Sequence, residues 1–565
     1  MTTPPSTAEI FLRSLGRLGV EYIFGNAGTD AAPIIEAYAR CGMDGGESLP
    51  VPVLATHENL ALTMAHGYAM VSGKLPAAFV HVSVGTANAV CPIMNAAREN
   101  VPILLSAGRT PIYEDDRVGS RDSYIHWGQE MFDQASLLRE FVKWDYELRG
   151  PAQVETVVQR AVSIAMSEPR GPVYLSLPRE VLAEPMPAGY DAAKSSSLAR
   201  ALPSRPSAEG IRAAADILST AQKPLIIAGN SGRDPSAVAE LVAFAEDFQI
   251  PVVQHRPRYM QFPSEHPLNL GYEPAGLVEQ ADAILVLDCD VPWIPKLSPL
   301  RPDCRVIHAG PDPLFGAIPI RGFQCDLALT CNIDALLIDL TSEMERRTAD
   351  LSSRRAWLQG ESKKRKENRA SKLASASAMH PIHPAWVSHC IEQVKGDAIL
   401  VNEYTLMLDH CSFNEPGSYF GSSSASGLGW GMGAALGAKL AEPDSLVIAT
   451  LGDGAYLFAN PVAGHYASHQ HKLPVLFVIF NNGMWDAVRQ ATIKVYPDGG
   501  ASTANRHVLT ELDGLPAFEQ VCIAAGGYGE RVENAADLPA ALERALNAVR
   551  NEKRQALLNV ICQPR

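Results

Sequence analysis

A chain of 565 residues is longer than one hydrophobic core organises, so about three domains are expected. With 47% hydrophobic and 19% charged residues, the composition is that of a globular protein and excludes a disordered or fibrous one. The net charge of −14 comes with no Lys/Arg stripe, which argues against nucleic acid as a partner.

The N-terminus, Met1-Thr-Thr-Pro-Pro, lacks the basic and apolar runs of a signal peptide, and no stretch is apolar for long enough to span a membrane. Ten cysteines are scattered without a C-x-x-C pair, which fits a reducing compartment, so a cytoplasmic location is expected.

In chain order, residues 1–185 alternate short apolar runs with helical patterns. Tyr22–Phe24, Val51–Ala55, Ala77–Val82, Val101–Ser106 and Val173–Leu177 are predicted strands, with a helix from Glu58 to Val71. Residues 205–345 repeat this grammar through Pro224–Ala228, Pro251–Gln254, Ala283–Leu287 and Arg305–His308. Residues 346–383 carry many Lys and Arg before a Ser/Ala-rich run, and are predicted to form a solvated helix and linker. Residues 384–565 form a third block, with strands at Ala398–Val401, Leu446–Thr450, Val475–Phe480 and Leu557–Ile561. Strands alternating with helices predict α/β domains built on three doubly wound parallel sheets.

The sharpest signal lies in the third block. Gly452-Asp453-Gly454 follows one predicted strand and Asn481-Asn482 follows the next, with a crossover helix at Pro461–Gln470 between them. Both polar groups therefore fall at the carboxyl ends of parallel strands, where open α/β sheets bind ligands. The Asp453 carboxylate, the Asn482 amide oxygen and the Met484 carbonyl are hard oxygen donors of the kind magnesium prefers. Flanking glycines let the backbone approach a diphosphate closely. Either half alone is more often a plain turn; the pair is specific. In the first block, Glu58 opens a largely apolar helix after a buried strand. There a carboxylate is either a proton-sharing group or a first-turn residue that complements the helix dipole.

With these motifs the chain resembles the thiamine diphosphate-dependent decarboxylase and acetolactate synthase superfamily over essentially its whole length. Phe24-Gly-Asn-Ala-Gly, Gly85-Thr-Ala-Asn-Ala, Gly171-Pro-Val-Tyr-Leu-Ser, Gly417-Ser-Tyr-Phe, Gly427-Leu-Gly and the segment 452–489 resemble its benzoylformate decarboxylase branch most. The resemblance implies pyrimidine-binding, central and diphosphate-binding domains, with thiamine diphosphate and Mg²⁺ as cofactors. It implies that Glu58 hydrogen-bonds ring nitrogen N1′ of the aminopyrimidine, favouring the imino tautomer that deprotonates C2. Leu428 would support the bent cofactor and the Ser426 carbonyl would accept its amino group. Glu403, Tyr404 and Thr405 would form another wall of the diphosphate pocket, with Gly452, Gly454, Ala455 and Trp485 around it. Asp453, Asn482 and Met484 would hold the metal. The family pattern also implies a homodimer or homotetramer with active sites at subunit interfaces.

On the substrate side, His81 falls where the benzoylformate decarboxylase branch carries an active-site histidine, and Thr29 where it has a serine that contacts the substrate carboxylate. The branch's second active-site histidine is missing: Pro295 stands at roughly that place in Val291–Lys296. The segment Tyr124–Glu130 contributes pocket groups only if its loop reaches the site. Among His465, His469 and His471, i and i+4 share a helix face but no third ligand is evident, so a solvated helix is expected there rather than a metal site. The expected activity is decarboxylation or carboligation of a 2-oxo acid, with Glu58, His81 and Thr29 acting on it. The alternatives are an acetolactate synthase-like ligase with FAD, a 2-hydroxyacyl-CoA or oxalyl-CoA lyase, and a non-catalytic relative.

Overall fold

The structure, a computed structural model, describes residues 4–44, 49–191, 198–347 and 351–564. Residues 1–3 of the expected first block, 348–350 of the expected linker and Arg565 lie outside the described residues. Three parallel sheets organise the chain, and every strand pair in them runs parallel. In the first sheet the order is β2-β1-β3-β4-β6-β5. Its strands are β1 Tyr22–Gly25, β2 Val51–Leu54, β3 Ala77–Val80, β4 Leu104–Arg109, β5 Asp145–Glu147 and β6 Val173–Pro178. The second sheet, in the order β11-β10-β9-β7-β8, uses β7 Pro224–Ala228, β8 Val252–Gln254, β9 Ala283–Leu287, β10 Arg305–Gly310 and β11 Leu327–Thr330. The third follows β13-β12-β14-β15-β17-β16. It contains β12 Ile399–Glu403, β13 Tyr419–Gly421, β14 Val447–Gly452, β15 Leu476–Asn481, β16 Tyr528–Val532 and β17 Ala556–Ile561. Numbered from its own first strand, the third sheet has the same order as the first.

Central strands such as Val173–Pro178 and Leu476–Asn481 are buried at every residue, the signature of a sheet covered on both faces. Four strands escaped the sequence reading: β5, β11, β13 and β16. All are short and all four lie at sheet edges, where half-exposed residues such as Asp145-Tyr-Glu have no apolar run to mark them. The strand expected at Val101–Ser106 begins instead at Leu104.

The outer blocks are not separate cores. Helix Glu58–Ser72 packs along helix Trp430–Ala441, and one hydrophobic cluster runs from Phe24 and Leu62 to Trp430 and Phe477. Glycine permits this approach. A Cβ on Gly437 would stand 2.0 Å from the Met64 carbonyl oxygen, and one on Gly67 would stand 2.1 Å from that of Ala434. The charged segment forms a largely exposed helix, as expected, but its first turns are anchored. Helix Ser352–Ala376 buries Arg354, Trp357 and Leu358, and the Arg354 guanidinium donates to the carbonyls of Leu218, Ala221 and Phe248. A buried three-methylene stem and a guanidinium that donates from all three of its nitrogens tie this helix to the central block. No helix among the described residues is long and apolar enough to cross a membrane.

Candidate active site

Glu403, Gly452 and Asn481 end three adjacent strands, because Glu403 pairs with Leu451 and Gly452 with Phe480. The next residues therefore emerge together at one rim of the sheet. Asp453 opens a short helix and is 3% exposed. Its Oδ1 accepts the Gly454 N–H at 2.8 Å and its Oδ2 accepts the Gly483 N–H at 2.7 Å, so the two halves of the motif are joined through one carboxylate. Gly483 has φ +66, which a side chain resists. The Asn482 amide oxygen accepts the Met484 N–H at 3.0 Å, closing the turn. Burial holds the Asp453 carboxyl above its ordinary range, against the pull of four backbone N–H groups. Among the described residues no cation pairs with it. A buried carboxylate without a counter-charge, beside an amide oxygen and a tight turn, has the chemistry of a divalent-cation site, and the residues present fit one.

Trp485 lies over this rim. Its ring would be 2.1 Å from a Cβ on Gly454 and meets Phe458 edge-on at 5.7 Å between centroids. Ala455 is buried beneath, and Thr405 lies across from Gly452. Tyr404 is 48% exposed with φ +75. Glu403 was expected to wall the diphosphate pocket, but its side chain has another task. Its Oε1 accepts the N–H groups of Gly429 and Trp430, and its Oε2 that of Gly431, at 2.7–3.3 Å. It thus satisfies the N-terminus of helix Trp430–Ala441, although burial raises its carboxyl to about 6.

Just before that helix, Ser426 has φ +52 and Leu428 is half-buried against the main cluster. This loop is held from the first block. The buried Asn95 side chain donates to the Gly427 carbonyl at 2.9 Å and accepts the Gly427 N–H at 3.0 Å.

In the first block, Glu58 is 6% exposed and begins its helix. Asn26, just past β1, donates to one oxygen at 3.2 Å, and Asn88 donates to the other at 3.0 Å. Two neutral donors fix the carboxylate, and no salt bridge reaches it among the described residues. Both asparagines sit inside segments that carry the family resemblance, Phe24–Gly28 and Gly85–Ala89, yet sequence reasoning gave them no role.

His81 follows β3 at the start of helix Val82–Arg98. Its Nδ1 donates to Asp30 Oδ1 at 2.5 Å, and Asp30 Oδ2 accepts the Val82 N–H at 3.3 Å. Its Nε2 lies 3.3 Å from the Gln129 side-chain nitrogen. The Asp30 contact raises the His81 pKa, burial opposes it, and Glu58 adds a smaller rise. Gly28 makes room: a Cβ there would overlap the imidazole at 2.1 Å. Thr29, the residue singled out in the sequence, is exposed, and its buried neighbour Asp30 is the one that holds His81. Asp30 and Gln129 are 51 and 48 residues from His81, and only the fold brings them together.

The histidine cluster at 465–471 is not a solvated face throughout. His465 is fully buried, with Tyr456 at 2.8 Å and Gln555 at 2.7 Å on its two nitrogens, and burial lowers it to about 4. His471 contacts the Leu54 carbonyl.

Comparison with known proteins accords with this arrangement. Residues 5–137 match the N-terminal TPP binding domain of thiamine pyrophosphate enzymes, residues 211–337 the central domain, and residues 402–560 the C-terminal TPP binding domain. The chain is 28% identical to the benzoylformate decarboxylase of Pseudomonas aeruginosa, over 95% of this chain and 96% of that one. It is 26% identical to the acetolactate synthase large subunit of Haemophilus influenzae, over 96% and 92%. In fold it is similar to the thiamine diphosphate-dependent 4-hydroxybenzoylformate decarboxylase of Rhodococcus jostii RHA1, with a TM-score of 0.79 at 23% identity over 99% of each chain. With all three domains matched in order, the chain belongs to the thiamine pyrophosphate enzyme family.

Proposed function

We propose that the protein is a thiamine diphosphate- and magnesium-dependent 2-oxo acid decarboxylase or carboligase, a cytoplasmic homo-oligomer with active sites shared between subunits. The observation that carries this reading is the Asp453 carboxylate, which is buried without a counter-charge and bonded across both halves of the Gly-Asp-Gly and Asn-Asn motif. Thiamine diphosphate, when bound, would supply a nucleophilic carbon and an electron sink.

The chain's own residues do the rest. Asp453, Asn482 and the Met484 carbonyl are the residues that would hold Mg²⁺, and Gly454 and Ala455 would let the backbone approach the diphosphate. Leu428, clamped through Gly427 by Asn95, supports the bent cofactor. Glu58, held by Asn26 and Asn88, shares a proton with ring nitrogen N1′. His81 carries a proton to or from the substrate, with Thr29 beside the carboxylate. Asp30 fixes the imidazole so that Nε2 faces the pocket, and the Gln129 carboxamide can turn to offer Nε2 either a donor or an acceptor. Trp485 and Asp486 narrow the pocket, so Trp485→Ala shifts preference toward bulkier acyl groups more than it changes cofactor affinity.

The test is CO₂ release and aldehyde formation across aliphatic and aromatic 2-oxo acids. Turnover of at least one, without bound flavin, supports the reading. Stoichiometric flavin points to an acetolactate synthase-like ligase, and cleavage of an acyl-CoA alone to a lyase. Mixing Glu58→Gln with Asp453→Ala subunits should restore some activity if one subunit's Glu58 faces another's Asp453; an active monomer contradicts the shared site.

A further inference from the structure

A cleft of about 470 Å³ separates the central block from the third. Its walls come from the loop after β8, the loop after β9, the carboxyl end of β12 and Lys494. It adjoins the candidate active site in two ways. Tyr404, next to Glu403, lines it and has its hydroxyl 3.5 Å from Ser426 Oγ, at the loop that carries Leu428. Lys494 lies on helix Asp486–Val495, which starts directly after Trp485.

The charges in the cleft do not balance. Arg258 is buried and engaged by Asp290 at 2.9 Å, so those two cancel. Arg256 lies over the Tyr404 ring at 5.7 Å, and Lys494 also lines the cleft. Neither side chain has an ion pair or hydrogen bond among the described residues. The remaining acid, Glu273, accepts the Ala275 N–H. Two free cations thus face one carboxylate. The backbone is strained at the same wall: Arg256 and Tyr404 have φ of 46° and 75°, a region that non-glycine residues occupy at a cost and that clusters at ligand sites. Opposite, Ile294 and Leu297 are 46% and 69% exposed and give the cleft an apolar side. They belong to the loop in which the sequence shows no histidine.

The geometry points to a subsite for the far end of the substrate, in which Arg256 and Lys494 bind a terminal anionic group while Ile294 and Leu297 cover the methylene chain that leads to it. This rests on the 2-oxo acid reading and narrows it to 2-oxo acids with a second acidic group. A planar guanidinium held by ring stacking keeps its N–H edges free for a carboxylate, and an ammonium on a flexible stem adapts to chain length.

The experiment compares kcat/KM for matched pairs, 2-oxoglutarate against 2-oxopentanoate and 2-oxoadipate against 2-oxohexanoate, with the holoenzyme. The acidic member of at least one pair should be preferred by about tenfold or more, the scale of one charge-assisted contact. Arg256→Gln and Lys494→Gln should each reduce that ratio, with Arg256→Lys keeping part of it. Calorimetry with glutarate and pentanoate reads the subsite without turnover: glutarate should bind more tightly, and Arg256→Gln should remove the difference. An uncharged preference in both pairs, or a ratio that neither substitution moves, overturns the inference while leaving the decarboxylase reading intact. If no 2-oxo acid is turned over, that reading fails and calorimetry alone decides the subsite. Glutarate binding sensitive to Arg256 sustains it. No binding overturns it, as does binding of ADP in place of glutarate.

Discussion

The first and third sheets share one strand order, and the residues at their carboxyl ends differ in kind. After the third strand of the first sheet comes His81, paired with Asp30; after the third strand of the third sheet comes Asp453, bonded to backbone N–H groups and paired with no cation among the described residues. One topology thus presents side chains suited to moving protons in one copy and backbone amides with hard oxygens in the other. The sheet decides where groups gather and the loops decide what they do. The two copies are also joined physically, through helices Glu58–Ser72 and Trp430–Ala441 and through the Asn95 clamp on Gly427. The loop before Leu428 is thus held from the first block, while Glu58, His81 and Asp453 take their hydrogen bonds within their own blocks.

The contrast can be broken most severely from the third sheet. Asp453→Ala removes the buried carboxylate that ties the motif together, so cofactor retention and activity should both be lost. Full thiamine diphosphate occupancy by calorimetry in this variant would remove the metal assignment. From the first sheet the expected damage is chemical rather than structural. Glu58→Gln should fold and bind cofactor, yet lose about 10²–10⁴-fold in kcat, the range of a general acid/base group.

A smaller effect separates position from charge at His81. Asp30 raises the His81 pKa, so the imidazole keeps its proton to higher pH than usual. The linked stabilisation is complete below the unfolded pKa of histidine and disappears as pH rises through the folded value. Asp30→Asn should lower kcat by about tenfold, the scale of one lost charge-assisted bond, and move the limb governed by His81 to lower pH. A profile that keeps its shape and position after this substitution contradicts the pairing. The mildest prediction concerns the seam between the two copies. Gly437→Ala places a methyl against the Met64 carbonyl and should cost about 1–3 kcal/mol, seen as a lower Tm in calorimetry. An unchanged Tm would mean that the helix pair adapts freely.

The same contrast explains what was legible in the sequence. Asp453 and Asn482 stand out because glycine-flanked polar residues directly follow apolar runs, and the partner of each lies within the same block. The buried central strands were visible for the same reason. Asp30 and Gln129 were not visible as partners of His81: each contact spans about fifty residues, and Gln129 sits in a segment of weak periodicity. The sequence drew attention to Thr29, whose hydroxyl is exposed, and passed over the buried Asp30 beside it. Glu403 could be placed at a strand end but not given its partners, because nothing local shows that a helix 27 residues on needs an acceptor. Edge strands such as β5 and β16 carry half-exposed polar residues, and so give neither an apolar run nor a clean alternation.

The division of labour between the two copies is tested most directly by measuring hydrogen–deuterium exchange at C2 of bound thiamine diphosphate in Glu58→Gln, alongside cofactor affinity in the same preparation. The account predicts affinity close to that of the parent protein and exchange slowed by about 10²–10⁴-fold. Unchanged exchange at full occupancy would contradict it, because proton activation would then not depend on the first sheet.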